Sequence, residues 1–311
     1  MPITLEGMTA NGYLNPDLAG EIFKKVTTDS VVASLAGSTS MGMTGTEYVI
    51  SGADPEAAIV GEGGKKPTDD VAFSTKVVKP VKAALIVTWS KEARIKNPAG
   101  IFDDIQNRMA EAIRRQVDTA IMYGKSRQDG ASIAGVQYLN QTTNRFTLGS
   151  GLALAGSIID GYEAVTAANY DFTSFAADPR LKADLLRAQD AKNSPIYQAD
   201  VNLGANTGSL LGLPVAFGRT LSQNPTGSKA FEDSGVRAFG GDFAGNLKLG
   251  FVEQINFKTT DQATVDGVSL WETNQEAALV EAIFGWVIND PKAFAAYEIA
   301  PAGGGDGSGE G

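Results

Sequence analysis

The chain has 311 residues with 26 basic and 36 acidic side chains, a net charge of −10, and neither cysteine nor histidine. The first absence excludes disulfides and thiolate chemistry; the second removes the commonest general base and zinc ligand, so any catalysis would run through Lys, Asp, Glu, Ser or Tyr. Such an acidic chain is a poor general binder of nucleic acid, and no apolar run approaches the ~20 residues that cross a bilayer.

Residues 1–13 have no periodicity and read as an extended arm. They lack a basic region followed by an apolar core, so no signal peptide is expected and the chain should stay in a cytosol-type compartment. Asn15-Pro16-Asp17 opens a short helix with Leu18, Ile22, Phe23 and Val26 on one face, and Ser30 to Leu35 continues apolar. Thr46–Ile50 and Ala57–Val60 read as short strands around the turn Ser51–Pro55. Gly61–Pro67 is a polar tip carrying Glu62, Lys65 and Lys66. Val71 to Trp89 returns as long β-structure, with Phe73, Thr75 and Val77 alternating against Ser74, Lys76 and Val78. Pro80 demotes that part to an edge or a bulge. Thr46–Lys82 is therefore expected as a two-stranded arm projecting from the body. A lone hairpin is marginally stable in water, so an arm this long should rest on a neighbouring subunit. Its charge agrees: residues 61–96 hold eight basic and four acidic residues, +4, which leaves −14 for the remainder. A basic loop, with Glu62, Lys65, Lys66, Lys76 and Lys79 as contact residues, suits the acidic body of another copy.

Asn97 to Gly124 reads as one long helix of about 40 Å. Asn97 suits the N-cap, Pro98 the first turn and Gly124 the stop. Ile101, Ile105, Met109, Ile113, Val117 and Ile121 form a one-sided stripe widened by Ala112 and Ala120. Asp104–Arg108, Glu111–Arg115 and Arg114–Asp118 are spaced as ion pairs. Lys125–Thr143 is irregular. Leu152–Ala168 is a helix with Ile158, Ile159, Tyr162 and Val165 inward, and Asp171–Ala177 a buried strand. Asp178 caps a further helix with Leu181, Leu185 and Leu186 on its apolar face. Leu210–Phe217 reads as one strand entered through a Gly/Pro bend. Strands Val236–Phe239, Lys248–Val252 and Gln254–Thr259 surround Gly240–Phe243. Val268–Asn289 is long β, with Leu279, Glu281 and Ile283 opposite Val280, Ala282 and Phe284, and Phe294–Ile299 is a final strand. The Gly-rich tail from Pro301 is a flexible terminus or an expression remnant. The order is α+β, without internal repeats.

Chemical motifs are mostly absent. Gly61–Lys66 lacks phosphate-loop spacing, and Pro67 stands where the helix would continue. Gly303–Glu310 has too few carboxylates for a calcium loop. Asp69-Asp70 and Asp103-Asp104 read as a polar turn and a helix N-terminus. No cofactor or metal is expected.

Six segments in order resemble the major capsid proteins of tailed double-stranded-DNA bacteriophages. They are Ala58-Ile-Val-Gly-Glu-Gly63, Ile86-Val-Thr-Trp-Ser-Lys-Glu92, Asp118-Thr-Ala-Ile-Met-Tyr-Gly124, Leu211-Gly-Leu-Pro-Val215, Phe239-Gly-Gly-Asp-Phe243 and Asp290-Pro-Lys-Ala-Phe294. The resemblance implies the Hong Kong 97-type capsid fold, also shared by encapsulins. Its parts would be an N-terminal arm (1–36), an extended β-loop (37–82) and a peripheral domain (83–129) with spine helix 98–123. An axial domain (130–266), return strands (267–290), a final strand (291–300) and the tail (301–311) would follow. It implies hexamers and pentamers in an icosahedral shell assembled in the host bacterial cytoplasm. Portal, scaffolding and decoration proteins would be partners, packaged DNA would be contacted weakly, and no membrane is involved. Some relatives carry a cleaved N-terminal scaffolding segment; here Met1 leads almost directly into the arm, implying a separate scaffold or a mature form. In one branch an extended-loop lysine attacks an asparagine amide of a neighbour with a glutamate as base. The matching residues are Asn274 and Glu281, with Lys65 or Lys66, and less well Lys76, as the amine; that amine must be neutral, hence desolvated. Two other readings stay open: an encapsulin compartment holding a cargo enzyme, and a cytosolic α+β enzyme using Lys or Asp/Glu.

Overall fold

The computed structural model describes residues 30–51, 55–69, 73–96, 101–190, 192–197, 202–227 and 229–299. The expected arm 1–13, the helix from Asn15, the start of the long helix at Asn97-Pro98 and the tail from Pro301 lie outside the described residues.

The described chain opens with α1 (Val31–Ala36), where the Ser30 hydroxyl accepts the Ala33 N–H. Then come β1 (Ser38–Ser40), β2 (Thr46–Ser51), β3 (Phe73–Val78), β4 (Val81–Ser90), α2 (Lys91–Lys96) and α3 (Ile101–Tyr123). Next are β5 (Asn144–Leu148), α4 (Leu152–Ala167), β6 (Ser174–Ala177), α5 (Leu181–Arg187), β7 (Thr207–Leu210) and β8 (Leu213–Phe217). The chain continues through β9 (Gln223–Gly227), β10 (Ala230–Asp233), β11 (Val236–Gly241) and β12 (Leu247–Thr260). It closes with β13 (Thr264–Val265), β14 (Val268–Ser269), β15 (Gln275–Ile288) and β16 (Phe294–Ile299).

Two sheets organise the body. A four-stranded sheet runs β1-β12-β15-β4, and α3 lies against β4 and β15. Met109, Ile113, Val117 and Ile121, the expected stripe, are buried in one core with Val280, Ala282 and Phe284 of β15. Each such side chain contributes roughly 1.5–3 kcal/mol of burial. Gly124 ends α3 at φ +64, its N–H reaching the Ala120 carbonyl at 2.9 Å. A six-stranded sheet runs β5-β16-β11-β6-β8-β7 and has its own core, in which Leu154, Ile158 and Val165 of α4 and Leu181 and Leu185 of α5 meet Phe175, Val215 and Tyr297. β12, inside the 130–266 span, pairs with β15 of the helix-backed sheet, while β16 pairs with β11 and β5 in the other.

Several local expectations change. Ala57–Val60 is irregular and exposed rather than a strand; no ladder partner lies beside it among the described residues, and an unpaired strand has nowhere to place its backbone hydrogen bonds. Leu210–Phe217 is not one strand but the hairpin β7–β8, turned by Leu211 at φ +54 and Gly212 at φ +80. Ile159 and Tyr162 face outward; α4 instead buries Leu154, Ile158, Gly161 and Val165, because Tyr297 packs where only Gly161 leaves room. Val268–Asn289 divides into β14, a turn and β15. Asp118, expected to pair with Arg114 on the surface, is buried, where it still feels the attraction of the Arg114 charge.

Candidate functional site

β2 and β3 form the expected arm, antiparallel from Thr46 opposite Val78 to Ser51 opposite Phe73. Cross-strand partners share a face, so Tyr48, Lys76 and Val78 lie on one side and Glu47, Val49, Phe73, Thr75 and Val77 on the other. The first side is anchored. Lys76 Nζ donates to Gln137 Oε1 and the Ile288 carbonyl, both at 3.1 Å, and to the Asn289 carbonyl. Val78 is buried. The second side is bare: Val49, Phe73 and Val77 are 68%, 68% and 62% exposed.

The root of the arm solves a steric problem. β1 and β4 are opposite edges of the four-stranded sheet, and the arm joins them, so the chain from Ser40 to Thr46 must cross β12 and β15. It crosses where Gly250 and Gly285 stand directly opposite each other. A Cβ on either would come within 2.9 Å of Met41 Cε. Alternation puts Gly285 on the face of β15 away from the Val280–Phe284 core, and Met41 fills the notch, 5% exposed.

Beyond the ladder, Glu62, Lys65 and Lys66 are exposed in an open loop with a turn from the Gly61 carbonyl to the Gly64 N–H at 3.0 Å. Lys79 is exposed between β3 and β4. Of the five expected contact residues, Lys76 alone turns back onto its own chain among the described residues. The cross-link candidates are not brought together within one chain. Asn274 sits at φ +52 just before β15, exposed, its amide donating to Glu92. Glu281 is buried in the middle of β15, where Lys82 and Lys258 (3.4 Å) both pair with it, and the Lys82 ammonium foremost holds its carboxyl below the usual range. The intervening extended strand spans about 20 Å.

Sequence reasoning missed the glycine notch and the carboxylate of Asp118. Asp118 accepts from Ser30 Oγ and from the Val31 and Val32 N–H groups at 3.4 and 3.3 Å, docking α1 onto α3. Burial pushes its pKa up to about 6, partly offset by those hydrogen bonds. The available signals were a carboxylate next to Val117 of the apolar stripe and glycines inside two strands that read as regular. Among the described residues no group of carboxylates is placed to hold a metal.

Residues 11–299 match the profile of the phage capsid family. The chain is 27% identical over 308 residues to the probable major capsid protein gp17 of Mycobacterium phage D29, covering 95% of this chain and 93% of that one. A solved chain from Gordonia phage Cozz is 32% identical, with a TM-score of 0.76 over 88% of this chain and 87% of that one. One from Mycobacterium phage Bobi has a TM-score of 0.70 at 21% identity, covering 97% and 96%. The α+β architecture is the Hong Kong 97-type capsid fold, and by profile, relatives and structure together this chain belongs to the phage capsid family.

Proposed function

We propose that copies of this chain assemble through hexamers and pentamers into an icosahedral head enclosing double-stranded phage DNA. The chain is a major capsid protein of the tailed-phage type, and its role is structural. The supporting observation is the arm: anchored on one face, it leaves Val49, Phe73 and Val77 for another copy to cover. Each of those side chains gains roughly 1.5–3 kcal/mol when buried, and closed symmetry repeats the contact around the shell. In this reading α3 and the four-stranded sheet form the peripheral domain and the six-stranded sheet the axial domain. The arm is the extended loop, and residues 1–36 are the N-terminal arm.

The head assembles in the host cytoplasm, with a portal, a scaffolding protein and a decoration protein as partners. Its DNA contact is weak and non-specific, in keeping with the net charge of −10. Electron microscopy and light scattering of the purified chain test the reading: shells of MDa mass support it, and a lone 32.5 kDa monomer overturns it. Protein cargo in place of nucleic acid inside the particles would point to the encapsulin alternative.

Covalent cross-linking is the finer question. A neutral Lys65 or Lys66 amine would attack the Asn274 amide carbon of another copy and expel ammonia. The glutamate base would then come from a separate copy, since Glu281 lies far along the strand from Asn274. Denaturing electrophoresis of mature particles decides it: a ladder of multimers supports the bond, and one band at monomer mass ends it.

A further inference from the structure

A cavity of about 1160 Å3 opens between α1, α3, the start of β4 and the loops beside β8 and β9. Its walls carry six basic side chains, Lys82, Arg114, Arg115, Arg127, Arg219 and Lys229, against one carboxylate, Asp118. That carboxylate is committed to Ser30 and the α1 backbone. Glu281 answers Lys82, and Glu111 answers Arg115 at 3.5 Å. Arg127, Arg219 and Lys229 make no ion pair among the described residues, and the last two are exposed. In a chain of net charge −10 this is a local positive field. Gln128, Asn206, Thr207 and Thr220 bring amide and hydroxyl groups to the same wall.

Arg127 and Phe231 give the cavity a flat surface beside its charge. The Arg127 guanidinium is held by Thr119 Oγ1 at 3.1 Å and Gln223 Oε1 at 2.7 Å, 4.1 Å from the centre of the Phe231 ring. Burial first, then repulsion from Arg115, lower its pKa to about 10 against the attraction of Asp118, which leaves it charged at neutral pH. Phe231 is 39% exposed and lines the cavity. Phosphate oxygens suit the guanidinium and ammonium groups, and a planar base suits the ring. A peptide rich in carboxylates would meet the charge but bring no base to stack. A duplex, its bases stacked on one another, cannot lay one on Phe231; a free nucleotide or a single strand can. The volume lies above the ~300–1,000 Å3 of ordinary small-molecule sites, which leaves room for one nucleotide or a short run of linked ones.

We propose that this cavity binds a nucleotide, free or in a single strand, with its phosphates at Arg127, Arg219 and Lys229 and its base on Phe231. Isothermal titration calorimetry of the full chain at low salt, with dTTP, hexathymidylate, tripolyphosphate and a short duplex as probes, tests it. Saturable binding of dTTP or hexathymidylate is expected, and the tighter of the two identifies the source. Arg219→Glu with Lys229→Glu should weaken that binding roughly tenfold, and Phe231→Leu roughly fivefold or more. Arg187→Glu with Lys192→Glu, the same charge change at exposed positions outside the cavity, should leave it unchanged. No binding of either nucleotide probe overturns the proposal, as does tripolyphosphate or duplex binding as tightly as the better of them. Equal weakening by the two charge reversals also overturns it, since general electrostatics would then suffice. Micrographs of the same preparation report separately on assembly: shells without nucleotide binding end this site alone, and nucleotide binding by a chain that forms no shells ends only the head.

Discussion

Asp118 carries a charge into a place where charge is costly, and the cost is visible in its raised pKa of about 6 against an ordinary 3.8. The sign of the consequence follows. Between those two values the folded chain binds a proton that the unfolded chain does not, so this group adds stability as the pH falls from about 6 to about 4. Two pKa units correspond to roughly 3 kcal/mol. Asp233 works oppositely: the Arg237 guanidinium first, and Arg180 after it, hold its carboxyl well below the usual range. Its contribution is present above pH ~4 and lost below it. The windows barely overlap, so a difference measurement isolates Asp118. Thermal unfolding of the wild-type chain and Asp118→Asn, followed from pH 7 to pH 4, should show the wild type gaining on the variant by an amount of order 2–3 kcal/mol; parallel pH profiles would contradict it. Asp118→Ala should cost more as the pH falls through that range, reaching about 2–4 kcal/mol near pH 4, because Ser30 and two N–H groups lose their acceptor.

The long helix illustrates what an element announces in advance. Its four-residue recurrence, its glycine stop and its cover of a sheet were all legible, because a one-sided apolar stripe has a single economical solution. Gly124 is demanding for two reasons: its φ is +64, and a Cβ there would lie 2.5 Å from Tyr138 Cδ1. Gly124→Ala should cost about 2–4 kcal/mol, combining left-handed backbone and overpacking, read as a lowered Tm with the helix signal in circular dichroism retained. Helix α4 was half legible. Leu152, Ile159 and Tyr162 are as apolar as the buried Leu154 and Ile158, so composition could not choose the inward face, and Tyr297 chose it through Gly161. The β7–β8 hairpin was hidden because Leu211, an unusual residue for positive φ, makes its turn. At the candidate site, the arm and its exposed lysines were readable from alternation and charge. The return of Lys76 to its own carbonyls and the Asp118–Ser30 dock were not, since both depend on residues more than 50 positions away meeting in space.

At the scale of the whole molecule, two cores that meet through the six-stranded sheet carry a limb with one dressed face and one bare face. Val49→Asp with Phe73→Asp should leave the subunit folded, because neither side chain is buried within the chain, yet cut the yield of closed particles in micrographs at least tenfold. Normal shells from that variant would remove the arm's bare face from the assembly contact. Gly285→Val, by contrast, acts at the crossing point, where Met41 and Val78 both lie 2.9 to 3.0 Å from the position of an added Cβ. The crossing has a mechanical side. A limb rooted on both margins of one sheet, with its link laid over the middle strands, works as a strap: tension on the far end is shared by the two margins and presses Met41 downward instead of lifting it. A head filled under pressure would thus tighten this joint, and particles built with Gly285→Ala should burst at a milder osmotic shock than the parent.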